Sequence, residues 1–179
     1  MSKPPSGLFS GTKGDVAFRG DAERVIAKRT AGLDLHEHPT AQKQLSAKAR
    51  RSIAQKIRHR TATREEYERY MWDKRFGKRR RNGIKSYWKQ ERNRLERGER
   101  GTRNWTSEQK AAILAGKTPK YNGKPIQAHH TYSARNFPHL ANLGEVIYPS
   151  TQYEHYMGWH GGNYKKSLPG RRIRQIHEF

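Results

Sequence analysis

The sequence contains no cysteine among its 179 residues. That absence excludes disulfides and thiolate metal sites, so any bound metal falls to His, Asn, Asp or Glu. The folded state needs no oxidising compartment. Acidic residues are scarce, 16 against 38 Lys and Arg, for a formal net charge of +22. Hydrophobic residues make up only 32% of the chain, which leaves room for one compact domain, or a small domain with an extension, rather than two large cores. No apolar run approaches the eighteen or so residues of a membrane span, and the opening MSKPPSGLFSGTKGD lacks the apolar stretch of a signal peptide. The chain therefore reads as soluble with no membrane span, and export would require something else to carry it.

What is abundant is positive charge, and it is uneven. Residues 41–103 carry 22 Lys and Arg against 7 Asp and Glu, whereas residues 1–40 carry 6 against 5. Such a field favours polyanions, nucleic acid above all, by releasing counterions condensed on phosphates. Charge alone does not make an enzyme, since a non-catalytic RNA- or ribosome-binding protein shares it.

Three stretches follow from local pattern. Residues 1–39 read as an extended tail or linker, rich in Gly, Pro and Ser over its first twenty positions, with a short helix from Asp21 that stops near Gly32. Residues 40–103 read as a basic helical region. Thr40 is placed to cap a helix with Leu45, Ala49, Ile53 and Ile57 on one face, and Thr63 with Glu66 forms a capping box for a second. The run GKRRRNG at 77–83 is expected to break the pattern before it resumes at Ile84. Trp72, Trp88 and Trp105 read as core anchors, with base stacking the rival use. In residues 104–179, Thr106 with Gln109 opens a short helix, an extended piece reaches His129 and His130, and Glu145–Tyr148 reads as a second strand. Thr151 with Glu154 then caps a last helix carrying His155 and ending at Gly161 and Gly162. The order is strand, loop, strand, helix, and the fold class is α+β with a mostly helical, basic N-terminal part.

That order lets His129, His130, His155 and His160 aim at a common point. Neighbours on a strand face opposite ways, so His129 and His130 are expected to divide their labour, one binding metal and the other polarising water. Phosphodiester hydrolysis needs a cation to neutralise growing charge and a base that is neutral near pH 7, and imidazole is such a base. Several imidazoles without a thiolate suit one divalent ion, Zn, Ni or Mn, and a partly open site accepts Mg. On an ideal α-helix His155 and His160 point roughly 140° apart, a conflict that a π-bulge at Gly158 or a curled helix end would remove.

The stretch IQAHHTYSARNFPHLANLGEVIYPSTQYEHYMGWHGGNY resembles the HNH, or ββα-metal, nucleases, in particular the variants with a Gly-His-His signature found as C-terminal toxin domains of bacterial polymorphic toxins, and more distantly the colicin-type DNases. The resemblance covers residues 104–179 and implies a C-terminal ββα-metal motif. It implies His129, His155 and His160 as metal ligands and His130 as general base. Ala128 stands where the family has glycine, and Val146 stands where its middle Asn is expected, which passes the loop-fixing role to Asn142 or leaves it vacant. The last two histidines are separated by four residues where three are commoner. The resemblance also implies a toxin delivered by a larger carrier or secretion system into the cytoplasm of a competing cell, with an acidic immunity protein as partner.

Around this constellation, Arg135, Lys165 and the run Lys78, Arg79, Arg80 and Arg81 are candidates for phosphate contact. His139 reads as structural, with phosphate contact or a spare ligand as its alternative, and Asn163 either spans the glycine turn or touches substrate. The expectation is a metal-dependent endonuclease acting on DNA with little sequence specificity. The alternatives open at this point are an RNase, a mobile-element nuclease, and the non-catalytic RNA- or ribosome-binding protein.

Overall fold

The computed structural model describes residues 21–179; the tail expected over residues 1–20 lies outside the described residues. The fold is α+β, with helices followed by two small antiparallel sheets. The first helix, α1, covers residues 21–30. Ala22, Ile26 and Thr30 recur every four residues and are all buried, and Ala22 and Ile26 pack with Tyr148 and Trp159. Beside them Glu23 takes the Arg172 guanidinium at 2.8 and 2.9 Å, so α1 is fastened to the far end of the chain. It ends before Gly32, whose φ of +83° suits glycine.

Helix α2 spans Ala47–Arg58 and is capped by Ser46, which accepts from the Ala49 N–H at 3.1 Å. The expected cap, Thr40, instead bonds His38 Nδ1 at 2.8 Å. The later start has a cause: the Leu45 N–H, which a helix begun at Thr40 would use internally, donates to buried Asp73 at 3.0 Å. Asp73 also takes Arg50 at 2.8 Å, clamping α2 to α3.

Helix α3 spans Arg64–Glu96, opened by the Thr63/Glu66 capping box. It runs straight through residues 77–83, where the sequence suggested a break. Each glycine there costs about 1 kcal/mol relative to Ala in a helix, but tertiary packing outweighs that. Asp73, Phe76, Gly83, Tyr87 and Glu91 form one buried stripe, and Arg79 donates to the Pro138 and His139 carbonyls, both at 3.1 Å. Gly83 is required by close approach, since a Cβ there would lie 2.3 Å from the Ala141 carbonyl oxygen. Farther along, buried Glu91 takes the Thr102 N–H at 2.7 Å and the Trp105 indole at 2.6 Å. That ties the following loop to α3 and sets Trp105 beside Ile113 of α4, Ser107–Leu114.

The hairpin of β1 (Lys120–Tyr121) and β2 (Lys124–Pro125) turns through Asn122 and Gly123, both at positive φ, as a two-residue Asn-Gly turn requires. Strand β3, Gln127–His130, then pairs antiparallel with β4, Ile147–Ser150, with His129 opposite Tyr148 and His130 opposite Ile147. The second strand was expected at Glu145–Tyr148. It starts two residues later because Gly144–Val146 forms a 3-10 turn. The turn is held against the helices by Arg29, which donates to the Gly144 carbonyl at 2.8 Å, and by Gln90, which donates to Glu145 at 3.1 Å.

After β4, Thr151 and Glu154 exchange reciprocal capping bonds of 3.1 and 2.8 Å. The helix they open is wound as a π-helix over Glu154–Trp159. Its base is pinned by a buried, two-pronged ion pair between Arg103 and Glu154 at 2.6 and 2.9 Å.

Candidate active site

Strand β3 and the π-helix bring His129, His155 and His160 together. Their ring centroids lie 4.8 to 5.0 Å apart pairwise, and one ligand nitrogen from each falls within 4.8 Å of the others. The π-winding removes the angular conflict between His155 and His160: the His160 N–H donates to the His155 carbonyl at 3.2 Å, an i to i+5 bond, which stacks residues five apart on one face.

Hydrogen bonding fixes the tautomer of two of these rings. His155 Nδ1 donates to Gln127 Oε1 at 2.5 Å, and His160 Nδ1 donates to the Lys166 carbonyl at 2.7 Å. Both Nε2 atoms are thereby left as lone pairs, and they face each other at 3.2 Å. His129 Nε2 is buried with no protein partner. Two facing lone pairs and an unpartnered buried ring nitrogen beside them are satisfied together by a cation. The donor set fits a divalent ion that accepts imidazole, with further positions left for oxygen ligands.

Burial, reinforced by the neighbouring histidines, drives the His129 imidazolium well below its ordinary range. Burial with His160 beside it brings His155 down to about 4. Both rings are therefore neutral, as ligation requires. Trp159, 1% exposed, packs against His129 at 4.7 Å between centroids and sets the depth of the strand beneath the π-helix.

His130 turns the other way, toward α3 and the loop before β4. Its Nε2 donates to the Ala141 carbonyl at 2.9 Å, so Nδ1 carries the lone pair. Burial, opposed by that hydrogen bond and helped by Arg80, lowers its pKa to about 4. The carbonyl is itself held in place, because Asn142 Oδ1 accepts from Arg79 at 2.6 Å. Arg79 and Asn142 thus fasten the loop that orients His130.

The four histidines line one cavity of about 640 Å³. Lys43, Arg80, Arg135 and Lys165 also border it, and no acidic side chain does. The run 78–81 therefore splits. Arg80 faces the cavity, Arg79 is committed to the loop, and Lys78 and Arg81 are exposed outside the cavity lining. His139 stands apart as well. Its Nε2 bonds the Asp34 carbonyl at 2.8 Å and its backbone carbonyl serves Arg79, and it lies outside both the three-histidine cluster and the cavity lining. Asn163 caps its own turn, accepting from the Lys165 N–H at 3.0 Å. Two residues escaped the sequence reading. Gln127 precedes His129 by two on the same strand, so alternation places both on one face and could have indicated it. Lys43 sits in an irregular segment with no motif to mark it.

Among the described residues no helix is long and apolar enough to cross a membrane. No curated protein and no solved structure matches the chain. Residues 65–151 match the family model described as GHH signature containing HNH/Endo VII superfamily nuclease toxin. The match takes in nearly all of α3, the β3–β4 pair, His129 and His130, while His155 and His160 lie just beyond it. Over residues 65–151, just under half of its length, the chain is thus similar to the GHH-signature HNH/Endo VII superfamily of nuclease toxins, a similarity that points to a hydrolytic endonuclease.

Proposed function

We propose that the protein is a metal-dependent endonuclease that hydrolyses phosphodiester bonds of DNA with little sequence preference. The observation that carries this reading is the convergence of three histidine rings, each offering a nitrogen within 4.8 Å of the others, beside an oriented fourth histidine. His129, His155 and His160 hold one divalent ion, Mg, Mn, Ni or Zn, which when bound neutralises charge on the phosphoryl and departing oxygens. His130 acts as general base. The Ala141 carbonyl holds its Nε2 proton, and Nδ1 takes a proton from the attacking water. Burial alone makes it a weak base, but a phosphate entering the cavity is an anion that raises imidazole pKa values, so substrate strengthens the base at the moment of use. Arg80, Arg135, Lys165 and Lys43 hold the phosphates on either side of the scissile bond, a contact that gives affinity without base choice.

The cellular setting follows the family. The protein acts as an antibacterial toxin, delivered by a larger carrier or secretion system into the cytoplasm of a competitor, and an acidic immunity protein protects the producer. A +22 chain attracts an acidic inhibitor quickly. Capture of an acidic product of a neighbouring gene by tagged protein tests this partner, and failure of every such product to bind counts against it.

The enzymatic reading is tested by incubating purified protein with supercoiled plasmid and with total RNA, under each metal and under EDTA, beside His130→Ala. Metal-dependent nicking of plasmid, lost in a mutant that still binds metal, is the expected result. Full activity in His130→Ala, or intact DNA and RNA under every metal, overturns the assignment.

A further inference from the structure

A second cavity, about 650 Å³, adjoins the histidine centre and is walled by Tyr121, Tyr153, Tyr156 and Tyr164. Its size lies within the roughly 300–1,000 Å³ of small-ligand sites. Only six large hydrophobic side chains are exposed among the described residues, and Tyr153, Tyr156 and Tyr164 are three of them, at 54, 38 and 58%. Tyr67 is the one other exposed Phe, Trp or Tyr among the described residues, so this concentration calls for an occupant. Tyr164 borders both cavities. Its ring lies 5.1 Å from His160, 5.8 Å from His155 and 4.9 Å from Tyr156 between centroids. The two cavities are thus contiguous at Tyr164, close enough for a strand with a phosphate at the histidines to reach the tyrosines with its adjoining nucleotide.

We propose that this cleft is a stacking site for one nucleobase next to the scissile phosphate, a base that belongs to a single strand or has been turned out of its pair. The proposal rests on the nuclease reading above and adds the state of the substrate. Phenol rings take purines and pyrimidines alike face to face, which agrees with low sequence preference. The Asn122 and Gln152 side chains in the cleft each offer a donor and an acceptor to a base edge, and Lys124 offers charge to the next phosphate. The single acid in the lining, Glu178, is engaged by the Thr151 hydroxyl. Tyr153 and Tyr156 lie on the outer side of the π-helix, whose inner side buries Glu154, Gly158 and Trp159. The same element thus supplies the metal-site histidine and the stacking surface, at fixed relative position. A fully paired duplex hides its base faces and cannot use the cleft, so unpaired strands, or duplexes with an extruded nucleotide, are preferred.

The test uses the full chain carrying His130→Ala, with short single strands of DNA and RNA containing 2-aminopurine and with a fully paired duplex of the same sequence. Quenching of the fluorescent base reads stacking, and titration reads affinity. The expected result is quenching on the single strands that is lost in Tyr153→Ala and Tyr156→Ala, and kept in the Tyr→Phe forms. Single-strand affinity should fall about tenfold in the Ala forms while duplex affinity holds, in keeping with stacking worth about 1–3 kcal/mol per base. Ala forms that fold, quench and bind like their parent overturn the proposal; so does an unquenched parent, which would leave the cleft to a protein partner. Cleavage by the chain with His130 intact is measured alongside. Quenching without cleavage under any metal overturns the nuclease reading and keeps the stacking site, whereas cleavage with unaltered quenching in the Ala forms overturns the stacking site alone.

Discussion

His155 and His160 face each other through Nε2 atoms 3.2 Å apart, while each ring's Nδ1 proton is committed elsewhere, to Gln127 and to the Lys166 carbonyl. The two rings are preset for a shared cation, and the partners of their outer nitrogens decide how well.

Gln127→Leu removes the acceptor that fixes the His155 tautomer without touching a ligand. Loss of such an outer partner ordinarily costs about 10- to 100-fold in metal affinity. Calorimetric titration with zinc should show that loss, with His155→Ala weaker still. A Gln127→Leu protein that binds zinc like its parent would remove the orienting role.

Gly83→Ala sets two effects against each other. On helix propensity alone it should stabilise α3 by about 1 kcal/mol. The added Cβ would meet the Ala141 oxygen at 2.3 Å and His130 Nε2 at 3.3 Å, and overpacking of that kind costs about 1–3 kcal/mol. The nearest atom met is a backbone oxygen rather than the far end of a flexible side chain, so the clash wins. Denaturant midpoints should fall, and cleavage should fall further than stability because the shifted carbonyl is the one that orients His130. A stabilised, fully active variant would show that the loop yields freely.

Arg80 and Lys78 carry the same charge two residues apart, and only Arg80 borders the histidine cavity. Arg80→Ala should weaken nucleic-acid binding and flatten its dependence on salt by about one counterion, whereas Lys78→Ala should change both little. Equal effects would mean that the whole basic run acts as a diffuse field.

The metal-free protein should be acid-sensitive. His130 and His155 are held near 4 in the fold against about 6.5 in the unfolded chain. Between those values the unfolded chain binds more protons than the folded one, so stability falls as pH drops from about 6.5 to about 4, by at most about 1.4 kcal/mol per pH unit for each ring. Saturating zinc should shift the fall to lower pH, since protons and metal compete for His155. Urea midpoints that stay flat from pH 7 to 4 would contradict the burial of both rings.

Much of the site was legible because its signals are local. The capping boxes at Thr63, Thr106 and Thr151 use residues three apart, and all three form. The helix from Asp21 to the turn at Gly32 is also as expected. The break at residues 77–83, the cap at Thr40 and the strand at Glu145 were misread for one shared reason. Each depends on a partner more than twenty residues away: Ala141 against Gly83, Asp73 against Leu45, and Arg29 and Gln90 against the Gly144 turn.

The polyanion-seeking charge, the exclusion of thiolate chemistry, the four histidines and the order of strand, strand and helix that carries them are all readable along the chain, because composition and near-neighbour spacing are local properties. Long-range packing is what winds the last helix as a π-helix, gives Nδ1 of His155 to Gln127, sets Arg79 to brace a loop while Arg80 faces the cavity, and leaves His139 outside. Those outcomes depend on which groups meet across long stretches of chain, where a hydrogen bond or a close approach of backbones outweighs the weak local preferences that periodicity records.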